Sequence, residues 1–170
     1  KGVPLIADTT VVPFSAFHAK EWGVDIEVLS STKYISGGAT VLGGLVVDYG
    51  TFDWRRSPSP ALTSRIRRVG PKAAFTARLK TELITNLGAM MTPQVAYMET
   101  LGLETLDLRF RRQSETTLWL AHACQQLKGI KSVNYTGLPD NPFHALSNAL
   151  FGPLPGAVFT IELESREACF

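Results

Sequence analysis

The chain has 170 residues, of which 45% are hydrophobic, 19% charged and 9% aromatic, a balance that excludes a disordered or collagen-like polypeptide and suits one domain or parts of two. Seventeen Lys and Arg against fifteen Asp and Glu leave a net charge of +2, so bulk charge predicts no nucleic-acid partner. No apolar run approaches the ~18 residues of a membrane helix, and two cysteines, Cys124 and Cys169, are too few for a disulfide framework, which points to a reducing compartment, the cytoplasm.

Taken in chain order, residues 3–7 are continuously apolar and closed by Asp8-Thr9-Thr10, the pattern of a strand buried on both faces. Phe14, Phe17, His18 and Trp22 recur at helical spacing before Gly23, and β-branched or apolar residues return over 24–29. Strand, helix and strand in about 30 residues form a βαβ unit, which predicts parallel neighbours joined by a right-handed crossover. A third strand is expected over 41–48. Residues 53–70, with two prolines, three serines and five arginines, read as a basic loop. Without interleaved aromatics or a known module, those arginines suit a solvated loop better than a nucleic-acid patch.

From Pro71 the period becomes helical as far as Gly88. Thr92-Pro93 marks a helix restart, an N-cap residue followed by proline in the first turn. The helical pattern runs to about Leu127 with Gly102 as a break, and β character over 128–135, a helix over 142–151 and a strand over 156–163 complete the chain. A strand near each extreme, with no initiator Met before the first, predicts a segment of a longer chain.

Chemistry concentrates near two strand ends. Ligands of open α/β sheets bind outside the carboxyl ends of the strands, so Asp8, after the first strand, and Lys33, in Ser30-Ser31-Thr32-Lys33-Tyr34 after the next, are expected to share one crevice. A lysine able to form a Schiff base, a carboxylate to pair with a protonated ring nitrogen, and hydroxyls to hold a phosphate are the minimum set for pyridoxal 5'-phosphate. The competing interpretation makes Lys33 a solvated loop lysine and Asp8 a helix cap. His18, His122 and His144 lack metal-ligand spacing with each other or with the cysteines.

Leu5-Ile6-Ala7-Asp8-Thr9-Thr10, Ser30-Ser31-Thr32-Lys33-Tyr34-Ile35-Ser36-Gly37 and Leu42-Gly43-Gly44-Leu45-Val46-Val47-Asp48 resemble the central motifs of the Cys/Met-metabolism pyridoxal-phosphate enzymes. The resemblance continues through Asn86-Leu87-Gly88-Ala89, Thr92-Pro93, Leu101-Gly102-Leu103-Glu104-Thr105-Leu106 and Val133-Asn134-Tyr135-Thr136-Gly137-Leu138-Pro139, in order along the chain. Val47-Asp48 followed by Phe52-Asp53-Trp54 is most similar to the O-acetylhomoserine sulfhydrylase branch. The chain departs from the family pattern at Thr9, where Asn is usual, at Leu29, where His is usual, and at Gly37-Gly38, near a usual glycine-histidine pair.

The resemblance implies a type I aminotransferase-like α/β fold, present in part. Residues 1–70 would end the large cofactor domain, 71–127 would form connecting helices, and 128–170 would begin the small C-terminal domain. It implies that Lys33 bonds the cofactor, that Asp8 pairs with its ring nitrogen, and that Ser30 and Thr32 bind its phosphate. The implied reaction is γ-replacement on O-acetylhomoserine by sulfide or a thiol, with γ-elimination, cystathionine γ-synthesis and a non-catalytic α/β interaction module as alternatives. The implied assembly is a homotetramer, a dimer of dimers sharing active sites.

Overall fold

In the computed structural model, which describes residues 2–169, β1 (Ile6–Asp8) and β2 (Ile26–Leu29) run parallel, with Ile6 opposite Ile26 and Asp8 opposite Val28. That pairing is the one the βαβ pattern predicts. The crossover differs: in place of a helix over 14–22, it holds a short turn on the Pro13 carbonyl and a 3₁₀ turn over Ala19–Trp22. His18, at ψ 77°, leaves helical geometry between the two, so the aromatic spacing there never propagates a ladder. β1 also differs from a strand covered on both faces. Ile6 and Asp8 are exposed, because β2 is the only strand beside β1 among the described residues. β3 (Leu45–Asp48) completes the sheet antiparallel to β2, Leu29 lying opposite Leu45.

One face of this sheet is covered by apolar side chains from residues 52–75. Ile26 is buried against Phe52, Trp54 and Ala74, with Val28, Leu62, Ile66 and Phe75 packed around them. Trp54 stacks on Phe75 with centroids 5.2 Å apart, and Phe52 meets Trp54 edge-on at 4.9 Å. The stretch expected to be a loop contains α1 (Pro60–Val69), with Pro60 in the first turn and Gly70 just past the end. Its Leu62 and Ile66 are one turn apart and face the core. Proline and serine density over 57–60 disguised the helix, although those residues occupy its start, where they are tolerated.

α2 (Ala74–Arg78) continues through a π-helical turn (Leu79–Ile84) into α3 (Thr85–Leu87), which Gly88 ends at φ 65°. Glu82 joins Arg65 of α1 at 2.6 Å and Arg78 at 3.1 Å, and these partners, Arg65 foremost, hold its carboxyl below the usual glutamate range. α4 (Pro93–Leu103) starts as predicted, the Val95 N–H donating to the Thr92 hydroxyl at 3.3 Å. Gly102 lies inside α4, and the interruption falls at Glu104 and Thr105, before α5 (Leu106–Gln125).

A second, two-stranded sheet pairs β4 (Ile130–Asn134) with β5 (Thr160–Leu163) antiparallel, α6 (His144–Phe151) lying between them in sequence. Ala121 of α5, Tyr135 and Leu138 form its core, with Leu118, Val133 and Phe159. Cys124 is buried on α5. α5 also reaches the first sheet's region, where Phe110 meets Tyr34 edge-on at 5.4 Å. None of the described helices is long and apolar enough to cross a membrane.

Candidate active site

Asp8 ends β1 and Ser30 directly follows β2, so parallel pairing brings both to the carboxyl edge of the sheet. Thr10 joins them. Its backbone N–H donates to Asp8 Oδ1 at 2.9 Å, and its hydroxyl oxygen accepts the Ser30 N–H at 2.9 Å. The Thr10 hydroxyl and backbone N–H hold the Asp8 carboxyl below the usual aspartate range, so Asp8 stays anionic as pH falls into that range.

Residues 30–36 turn sharply after β2. The Ser36 N–H donates to the Ser31 carbonyl at 2.9 Å and its hydroxyl to the Thr32 carbonyl at 2.7 Å. Thr32 Oγ1 accepts the Gly43 N–H at 2.9 Å and donates to the Gly43 carbonyl at 3.2 Å. That donation is long for a hydroxyl. Lys33 projects from this turn and is exposed.

Two helices brace the turn from outside. Arg109 Nη2 donates to the Tyr34 and Gly102 carbonyls, each at 2.8 Å, and its Nε donates to the Thr105 hydroxyl at 3.0 Å. One guanidinium therefore clamps the lysine turn, the end of α4 and the start of α5. Gly102 has no room for a side chain: a Cβ there would lie 2.7 Å from the Ser36 carbonyl carbon and collide with the Ile35 carbonyl oxygen. The turn also touches the segment before β5, because Tyr34 meets the Ala157 backbone, while burial raises its phenol above the usual tyrosine range.

Lys33 borders an open cavity of about 510 Å³ with Tyr34, Arg109, Arg112, Gln113 and Thr116 among its walls. Its cationic side chains suit an anionic ligand. The structure thus joins Asp8, Thr10 and Ser30 in one hydrogen-bonded set, and places Thr32 and Lys33 on the adjoining turn. Asp8, Ser30 and Thr32 are not walls of the cavity beside Lys33.

Buried polar residues surround these groups without marking the hydrophobic pattern of the sequence. Glu99 on α4 and Ser31 are buried and hydrogen-bonded at 2.5 Å. Glu27 in β2 is buried where its hydrophobic neighbours suggested only packing, and it accepts from the hydroxyls of Thr9 and Tyr49. Burial, followed by Glu27, pushes the Tyr49 phenol up to about 12. The one available signal was a glutamate inside an otherwise apolar strand, which implies a partnered buried charge.

The Asp8 carboxylate and Ser30 lie at neighbouring strand ends, with Thr32 and Lys33 on the turn that follows, a donor set whose chemistry suits pyridoxal 5'-phosphate. The fold and this donor set define a type I pyridoxal-phosphate α/β protein. A family profile described as Cys/Met metabolism PLP-dependent enzyme matches residues 1–169, and the chain belongs to that family.

The chain is 34% identical, over 96% of its length and 41% of the relative's, to O-acetyl-L-homoserine sulfhydrylase 1 of Thermus thermophilus. It is 31% identical, over 98% of its length and 41% of the relative's, to homocysteine/cysteine synthase of Saccharomyces cerevisiae. A solved O-acetylhomoserine sulfhydrylase of Wolinella succinogenes superposes with a TM-score of 0.82 at 42% identity, covering 99% of this chain and 47% of that one. A putative O-acetylhomoserine (thiol)-lyase of Campylobacter jejuni, solved with a pyridoxyl-lysine monophosphate, gives 0.81 at 27% identity over 98% and 44%. The chain spans about two fifths of the length of the curated relatives it matches.

Proposed function

We propose that the protein containing these residues is a pyridoxal-phosphate-dependent O-acetylhomoserine sulfhydrylase, replacing the γ-acetate with sulfide or a thiol to give homocysteine or methionine. The observation carrying the proposal is the Asp8–Thr10–Ser30 hydrogen-bonded set at parallel strand ends, followed directly by the Thr32-Lys33 turn. The relatives' activities support the choice of reaction. Residues 1–70 are assigned to the large domain, 71–127 to connecting helices and 128–170 to the small domain. A cytoplasmic homotetramer sharing active sites between subunits is the proposed assembly.

Lys33 would hold the cofactor, Asp8 its ring nitrogen, and the Ser30 and Thr32 hydroxyls its phosphate. Pyridoxal 5'-phosphate supplies an electron sink for charge developing at the substrate α-carbon. The Asp8 carboxylate would pair with the ring nitrogen and favour its protonated form, which would sustain that capacity. The Lys33 amine, as the base at this site, would take the substrate α-proton and carry protons between neighbouring substrate carbons, while acetate leaves Cγ and the sulfur nucleophile bonds there.

Full-length protein given O-acetylhomoserine and sulfide is expected to release homocysteine and acetate in equal amounts. Ammonia and a keto acid as the main products would replace this reaction with γ-elimination. Asp8→Asn removes the charge without changing the shape. It is expected to lower kcat by about 10²-fold or more and to weaken cofactor retention, measured by steady-state kinetics and absorbance after dialysis. Because the Thr10 hydroxyl and backbone N–H hold the Asp8 carboxyl below the usual aspartate range, the wild-type advantage over Asp8→Asn should persist as pH approaches that range from above.

A further inference from the structure

The turn carrying Ser30, Thr32 and Lys33 has a buried polar anchor on its far side. Ser31, between the two proposed phosphate ligands, is fully buried, and its hydroxyl donates to Glu99 Oε1 at 2.5 Å. Glu99 lies in α4, 68 residues along the chain, and is 5% exposed. Gly43, whose N–H and carbonyl hold Thr32 Oγ1, packs against the same pair: a Cβ there would lie 2.5 Å from Ser31 Oγ and 3.2 Å from the Glu99 carboxyl carbon. The Ser31 carbonyl is also occupied, by the Ser36 N–H at 2.9 Å.

We propose that Glu99, acting through Ser31 and against Gly43, is a positioning residue that aims the Ser30 and Thr32 hydroxyls at the cofactor phosphate. This role rests on the cofactor assignment above. A buried carboxylate is costly to retain without a hydrogen-bonded partner, and apolar packing would fill the same space between a helix and a turn. What the carboxylate adds is direction. A hydrogen bond to Ser31 fixes the rotation of the backbone between residues 30 and 32, and hence the two hydroxyls on either side. Glu99 contacts Ser31 and Gly43, which adjoin Ser30 and Thr32, so its influence falls on the phosphate grip rather than on bond-making at Lys33.

The test compares binding of pyridoxal 5'-phosphate and pyridoxal, which lacks the phosphate, to full-length apoprotein by absorbance titration. Ser31→Ala and Glu99→Leu are expected to reduce the affinity ratio of the phosphate ester to pyridoxal by about 10-fold, with pyridoxal affinity little changed. Glu99→Gln, whose amide carbonyl still accepts the Ser31 hydroxyl, should keep most of the ratio. Thermal unfolding of the apoproteins separates a general loss of stability from a lost phosphate grip. An unchanged ratio in Ser31→Ala overturns the proposal, whether or not Glu99→Leu folds. Failure of the wild-type protein to bind either compound would instead overturn the cofactor assignment.

Discussion

Lys33→Ala in the full-length protein is expected to lower kcat/KM by about 10³–10⁴-fold, near the upper end of what a positioned acid–base group contributes. In the proposed function the same amine would serve twice, as the covalent anchor of the cofactor and as the base that moves substrate protons, so no neighbouring group would replace both functions. Arg109 and Arg112 share the cavity with Lys33, but guanidinium does not deprotonate in proteins and cannot serve as the base. A small primary amine in the assay should restore part of the proton transfer, since the vacated side-chain volume opens onto the cavity. Near-wild-type turnover in Lys33→Ala would place the catalytic base elsewhere.

Gly102→Ala is expected to harm function more than a single methyl group usually does. The added carbon meets backbone, namely the Ile35 carbonyl oxygen and the Ser36 carbonyl carbon at 2.7 Å, and backbone cannot rotate away as a flexible side chain can. Relief requires α4 to move off the lysine turn, which also disturbs the Arg109 donation to the Gly102 carbonyl at 2.8 Å. Overpacking of this kind costs about 1–3 kcal/mol, and a displacement near 1 Å at a catalytic group costs about 10²-fold in rate. Gly88→Ala is the control. Gly88 has a left-handed φ of 65° but open space around it, so alanine there should lower the melting temperature through backbone strain and leave kcat close to wild type. Equal kinetic effects at the two positions would refute the link between the α4 contact and the lysine turn.

The strand periods anticipated the sheet edge at which Asp8 and Ser30 lie. Residues 3–7 and 24–29 overlap β1 and β2, which are shorter at Ile6–Asp8 and Ile26–Leu29, and their parallel pairing put Asp8 and Ser30 at one edge. Thr92-Pro93 anticipated the start of α4 because capping is local chemistry. α1 was missed because its helix signal, Leu62 and Ile66 one turn apart, was diluted by arginines and by the prolines at its entrance. Gly102 was misread for a different reason: a helix glycine that admits another backbone has the same local appearance as one that ends a helix. Glu99–Ser31 joins residues 68 apart, and Glu27 meets Thr9 and Tyr49 from separate strands and loops. The glutamate in an apolar strand hints at burial, but nothing periodic names its partners, which only the assembled fold reveals.

Borohydride reduction of the full-length holoenzyme, followed by proteolysis and mass spectrometry, tests the central claim most directly. The account predicts a single phosphopyridoxyl group on the Nζ of Lys33. A modified peptide carrying that group on any other lysine, or a protein that acquires none, would contradict it.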